Sequence, residues 1–96
     1  MKLLLIVVDA ARAADVERLL EASRVPGYTE VPNALGKGRT GRKLGNRAFP
    51  GSSALYLVAM PDGECHGVCD ELRALRDSKG PDEGLKAYVF DTTEVL

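Results

Sequence analysis

The sequence predicts an α+β sandwich of element order β-α-β-β-α-β, with four antiparallel strands and two helices on one face of the sheet. Three observations predict it. Short apolar runs rich in β-branched residues alternate with two stretches whose apolar residues recur at spacings of three and four. Turn residues separate these segments: Pro26-Gly27, Pro61-Asp62-Gly63, and residues 78–84, rich in Gly, Pro and Asp. The chain has 96 residues, 28% charged and 45% hydrophobic, the size and balance of one folded domain spanning 1–96.

Residues 3–8 form a continuous apolar run and predict a buried first strand. Asp9 is placed to cap the helix that follows, over about 12–23. Its core stripe is Ala13, Val16, Leu19, Leu20 and Ser23; Arg12, Asp15, Glu17, Arg18, Glu21 and Arg24 face water. Residues 28–31 predict a short second strand ended by Pro32. Residues 54–60 predict the third strand, and Pro61-Asp62-Gly63 a turn. The second helix is expected over about 64–77, with Cys65, Val68, Cys69, Leu72 and Leu75 on one stripe. Residues 85–90 predict the last strand. This order is the ferredoxin-like arrangement.

Two helices cover only one face of such a sheet. A solvated second face requires polar alternation, and the third strand lacks it. Leu55, Leu57 and Ala59 lie on one side, and Ala54, Tyr56, Val58 and Met60 on the other. The first strand is apolar on both sides too. The uncovered face predicts self-association.

The longest apolar run is far shorter than the roughly 20 residues of a membrane span and has no cleavage site of a secretory signal. A cytoplasmic protein is expected. The two cysteines, Cys65 and Cys69, do not form the framework of a disulfide-rich secreted domain.

The segment that points to chemistry is the connection between the second and third strands, about 34–50. It is longer than an ordinary hairpin loop and has no amphipathic pattern. It carries Lys37, Arg39, Arg42, Lys43 and Arg47, and no acid lies between Glu30 and Asp62. On a chain of net charge −1 that is a strong local asymmetry. Gly36, Gly38, Gly41 and Gly45 let backbone N–H groups approach a ligand. Basic side chains with exposed N–H groups suit phosphate or another anion; the plainer reading is a solvated hairpin tip. Residues 78–86 bracket a second loop with lysines at both ends. It reads as an ordinary connector or as a second ligand wall.

Gly36-Lys-Gly-Arg-Thr-Gly41 spells a dinucleotide fingerprint, but that motif must open a helix, and Gly45 and Pro50 follow. The P-loop pattern fails as well, with Arg42 at the lysine position and Lys43 at the Ser/Thr position. Cys65 and Cys69 share the core stripe of their helix and read as packed thiols. His66 is the only histidine, too few ligands for a closed zinc site.

The order of elements, the length, the glycine-rich basic connection and the ending Val89-Phe90-Asp91 resemble the nitrogen regulatory PII signalling proteins and their PII-like relatives. The resemblance covers nearly the whole chain, as one PII-like domain. Its specific pieces are Gly38-Arg39, the loop 80–86, and Lys86-Ala-Tyr-Val-Phe-Asp91. It implies a homotrimer with the sheets facing inward and an adenine nucleotide (ATP, ADP or AMP) as effector in the clefts between subunits. No obligatory cofactor is implied. Gly38 and Arg39 are similar to the family's glycine-arginine pair. Gly80, Asp82, Gly84 and Lys86 are similar to its phosphate-wrapping loop. The resemblance further implies that the long loop docks on a protein target such as a membrane transporter or an enzyme.

Three departures shape the expectation. Thr40 stands where the family has the glutamine that helps hold Mg-ATP and 2-oxoglutarate. The long loop has no tyrosine to accept uridylylation. The family's arginines after the last strand have no counterpart in 92–96. The chain is similar to a divergent PII-like protein, with Arg42, Lys43 and Arg47 available either to replace those arginines in part or to serve a different anion such as AMP, ADP or bicarbonate.

The same fold class admits three other functions. A metal-tolerance module similar to the CutA proteins would use Cys65, His66 and Cys69. A nucleic-acid binder would use the basic loop, but the first strand has no aromatic and the third only Tyr56 for base stacking. An enzyme similar to the acylphosphatases needs an arginine-bearing phosphate loop after the first strand, where this chain has Asp9-Ala-Ala. A binding protein, not an enzyme, is the expected class.

Overall fold

The computed structural model describes residues 1–38, 41–43, 51–79 and 84–96. The chain runs β1 (Lys2–Asp9), α1 (Ala13–Ala22), β2 (Thr29–Ala34), β3 (Gly36–Gly38), β4 (Gly41–Lys43), β5 (Ser53–Met60), α2 (Asp62–Lys79) and β6 (Leu85–Asp91). Four strands form one antiparallel sheet in the order β2-β5-β1-β6. β1 and β5, the most apolar segments, take the two central places. β2 and β6 are its edges.

Alternation along the strands sends every second residue of β1 and β5 under the helices. Leu4, Ile6, Val8, Ala54, Tyr56, Val58, Met60 and Leu85 are buried there. Val16 and Leu20 of α1 and Cys65, Val68 and Leu72 of α2 close over them, the stripes read from helical spacing. The opposite face carries Leu3, Leu5, Val7, Leu55 and Leu57, which are half-buried. Val31, Tyr88 and Phe90 flank them and are 41%, 53% and 50% exposed. Register sets Leu3 against Phe90, Leu5 against Leu57 and Tyr88, and Leu55 against Val31. This face is a continuous apolar surface in the isolated chain.

Four boundaries differ from the sequence reading. β2 does not stop at Pro32 but continues to Ala34. Proline is tolerated because β2 is an edge strand with its N–H side unpaired. The three steps from Val31 to Ala34 span the two from Leu55 to Ser53, and Asn33 absorbs the extra residue at φ 58°. The connection 34–50 is not loop throughout, since β3 and β4 pair as a small separate hairpin. A 3-10 turn, Ala10–Arg12, precedes α1; Asp9 Oδ1 accepts from Ala11 N at 3.3 Å. Finally, α2 begins at Asp62, inside the expected turn, because the Pro61 carbonyl already accepts from Glu64 N at 3.1 Å.

The N-terminus and the end of β6 are tied down. The Met1 amino group sits 2.9 Å from Asp62 Oδ1, and Lys2 pairs with Asp91 across β1 and β6. No helix among the described residues is long and apolar enough to cross a membrane.

Candidate ligand-binding site

The roots of both candidate ligand loops meet at one end of the sheet. β1 ends there at Asp9, whose register partner is Ser53 at the start of β5. Ser53 also pairs with Ala34, the last residue of β2. Ala10 N donates to Ser52 O at 3.0 Å, and Asp9 N donates to Gly84 O at 2.8 Å. The connection 34–50 therefore leaves and returns beside the point where the 80–84 loop delivers β6.

Gly84 is held as glycine for two physical reasons. Its φ is +73°, a conformation L side chains rarely adopt. A Cβ added there would lie 3.1 Å from the Asp9 Cβ. Gly36 is the opposite case, with no atom within 4 Å of an added Cβ, so packing does not demand glycine there. The hairpin register sets Gly36 against Lys43, Lys37 against Arg42 and Gly38 against Gly41. Cationic positions of the loop thus share one short ribbon, and such a concentration of one charge sign favours an anion. Arg39, Arg47, Gly80 and Asp82 lie outside the described residues. Lys86 is exposed, two residues after Gly84.

A groove of about 210 Å³ between α2 and β6 was not anticipated. Leu72, Leu85 and Val89 contribute its apolar lining, and Arg73 and Arg76 its charge; Lys86 borders it, but its pairing with Val7 puts it in the open-face set of β6 with Tyr88 and Phe90. On the sequence alone, Arg73 and Arg76 are ordinary solvent-facing helix residues; only the neighbouring edge strand gives them a shared place.

The cysteines pack as the stripe predicted. Cys65 is buried, with its Sγ 3.9 Å from Cys69 Sγ. Burial, then the neighbouring Cys69 thiol, pushes the Cys65 thiol up from its ordinary range. His66 is exposed beside Asp70, at 3.7 Å. No group of three metal-ligating side chains exists among the described residues. Tyr56 lies on the helix-covered face and is unavailable for base stacking. Its hydroxyl lies 3.0 Å from both Glu17 Oε1 and Glu30 Oε2, and its ring meets Tyr28 edge-on at 5.7 Å. Burial and then those two carboxylates push its pKa far above the usual phenol range.

No protein-family model and no curated protein matches the sequence. Solved structures do match in fold. CPII from Thiomonas intermedia K12, a nitrogen regulatory PII-like protein bound to ADP, AMP and bicarbonate, superposes with a TM-score of 0.76 at 22% identity, over 93% of this chain and 82% of that one. Its apo form gives a TM-score of 0.69 at 19% identity, over 93% and 85%. A PII-like signaling protein from Thermus thermophilus gives 0.68 at 17% identity, over 93% and 83%. The chain has the ferredoxin-like α+β fold of these PII-like proteins.

Proposed function

We propose that this chain is a divergent PII-like signalling protein of the cytoplasm. Three copies assemble with the open sheet faces inward. An adenine nucleotide or similar small anion binds in the clefts between them. The basic connection 34–50 then regulates a partner, such as a membrane transporter or an enzyme. The protein binds and signals and carries out no chemical conversion.

The observation that carries this reading is the convergence of both loops on the end of β1, where Asp9 meets Gly84 and Ala10 meets Ser52. The residues assigned to the anion are those read from the sequence, Lys37, Arg39, Arg42, Lys43 and Arg47 of one loop and Gly80, Asp82, Gly84 and Lys86 of the other, of which Arg39, Arg47, Gly80 and Asp82 lie outside the described residues. CPII, which shares this fold, binds ADP, AMP and bicarbonate. The physical mechanism is population shift. A ligand that bridges two loops stabilises the arrangement in which they are close and so changes the surface the long loop presents. The apolar face of Leu5, Leu57, Tyr88 and Phe90 supports assembly, because burying it in a trimer removes a surface that water disfavours.

Light scattering and thermal unfolding against ATP, ADP, AMP and bicarbonate test the reading together. A trimer whose melting temperature rises with ligand concentration is expected, about 2.7 kcal/mol at a hundred times the dissociation constant. A monomer indifferent to all four ligands refutes it.

A further inference from the structure

The two cysteines of α2 have different surroundings. Cys69 is half-buried and lines the α2/β6 groove together with Leu72, Arg73, Arg76, Leu85 and Val89. Cys65 is buried in the core, its Sγ 3.9 Å from Cys69 Sγ, and does not line the groove. The groove opens on the helix side of the sheet, opposite the apolar face that the proposed trimer buries. Leu85 and Val89 pair with Val8 and Leu4, which lie under the helices. Yet Val89 is 46% exposed, because α2 does not reach over the whole of β6.

A thiol exchanges readily where it is partly exposed in an electropositive setting, and is inert where it is packed among apolar groups. Cys69 has the first setting. Arg73 follows it by four residues on the same helix face, Arg76 lines the same groove, and no carboxylate lines it among the described residues. Arg73 and Arg76 touch acids of their own helix, Asp70 at 2.7 Å and Asp77 at 3.1 Å. Such surface pairs contribute about 0–1 kcal/mol each and yield to a competing carboxylate. Cys65 has the second setting. Burial keeps its proton on, and its S–H is within reach of the Cys69 sulfur.

We infer that Cys69 is a modification site for an anionic low-molecular-weight thiol, which arrives as its disulfide and ends bonded to Cys69 with its carboxylates against Arg73 and Arg76. The Cys69 thiol gives its proton to water, and the thiolate attacks one sulfur of the disulfide. The new bond to Cys69 forms as the reagent's own sulfur–sulfur bond breaks, and the departing thiolate takes up a proton. The disulfide is the only oxidant required. The groove, about 210 Å³, has room for one amino-acid-sized arm of the ligand, whose carbon chain rests on Leu72, Leu85 and Val89.

The test incubates the full chain with glutathione disulfide, which carries carboxylates, or with cystamine, a cationic disulfide. Intact mass and peptide mapping read the product. One adduct per chain, on Cys69, is expected. Relative to an unstructured cysteine peptide, glutathione disulfide is expected to gain at least about tenfold in rate over cystamine. That preference should shrink to within about threefold in R73Q/R76Q and in the parent at high salt. Cys65→Ser should keep the adduct and Cys69→Ser should take none. Both sulfurs should react once the chain is unfolded in concentrated urea. Circular dichroism checks the fold of each variant, and the salt series on the parent gives the same answer if R73Q/R76Q misfolds.

An adduct chiefly on Cys65 overturns the inference. So does an internal Cys65–Cys69 disulfide in place of the adduct, or a folded chain that takes no label. A preference for the anionic disulfide that neither salt nor R73Q/R76Q reduces overturns the role of the arginines and with it the inference.

Discussion

Replacing Gly84 by alanine should damage the fold more than the same change at Gly27, Gly36, Gly63 or Gly67, where an added Cβ meets no atom within 4 Å. The residue sits at φ +73°, where a side chain costs about 1–2 kcal/mol. The new Cβ would meet the Asp9 Cβ at 3.1 Å, and Asp9 cannot retreat freely. Its backbone N donates to Gly84 O at 2.8 Å, and its carboxylate accepts from Ala11 N. Weakening that backbone bond adds about 1 kcal/mol. The expected loss is about 2–3 kcal/mol, equivalent to roughly 10–20 °C in melting temperature for a domain of this size. Urea unfolding followed by far-UV circular dichroism, at one fixed protein concentration, measures it. Gly36→Ala is the control: with open space and no positive φ, it should be neutral or stabilising by up to about 1 kcal/mol. In an Asp9→Gly background the close contact disappears and only the backbone strain remains, so the cost of Gly84→Ala should fall to about 1–2 kcal/mol. A Gly84→Ala chain within about 0.5 kcal/mol of the parent would refute the reasoning, because neither strain nor contact would then exist.

Two further outcomes follow from the geometry. The Tyr56 phenol has a raised pKa in the folded chain, so its contribution to stability is complete below about pH 10, where the unfolded phenol is still neutral. Above that the unfolded state loses the proton first, and stability should fall by up to about 1.4 kcal/mol per pH unit until the folded phenol also ionises. Tyr56→Phe should lack that part of the slope; urea midpoints near pH 9 and pH 11 for both chains compare them. On the open sheet face, Tyr88→Ser or Phe90→Ser should weaken self-association by roughly tenfold or more while leaving the monomer folded, because both side chains are half exposed in the isolated chain. Sedimentation equilibrium checks this, and an unchanged association constant would show that the face is not the contact.

The strands and helices were legible because their signals are local. The continuous apolar run of β1 and the i, i+3, i+4 stripes of Val16 and Leu20, and of Cys65, Val68 and Leu72, report burial directly. The apolar character of both faces of β5 likewise announced an uncovered surface. The β3–β4 hairpin was not legible, since Gly36, Gly38 and Gly41 have no side chains to alternate. Nor was the run of β2 through Pro32, because a missing N–H costs nothing only once the strand is known to be an edge.

Both candidate loops were visible in composition, as glycines, lysines and arginines. Their meeting was not. Asp9 and Gly84 touch because β1 and β6 are neighbours in the sheet, and Glu17 and Glu30 share the Tyr56 hydroxyl because α1 crosses over β5. By itself the sequence determined which segments are strands and helices and which faces are apolar, since periodicity acts over a few residues. Only the tertiary structure decided that the two loops share one end of the sheet, because the topology brings Asp9, Ser52 and Gly84 together from distant parts of the chain.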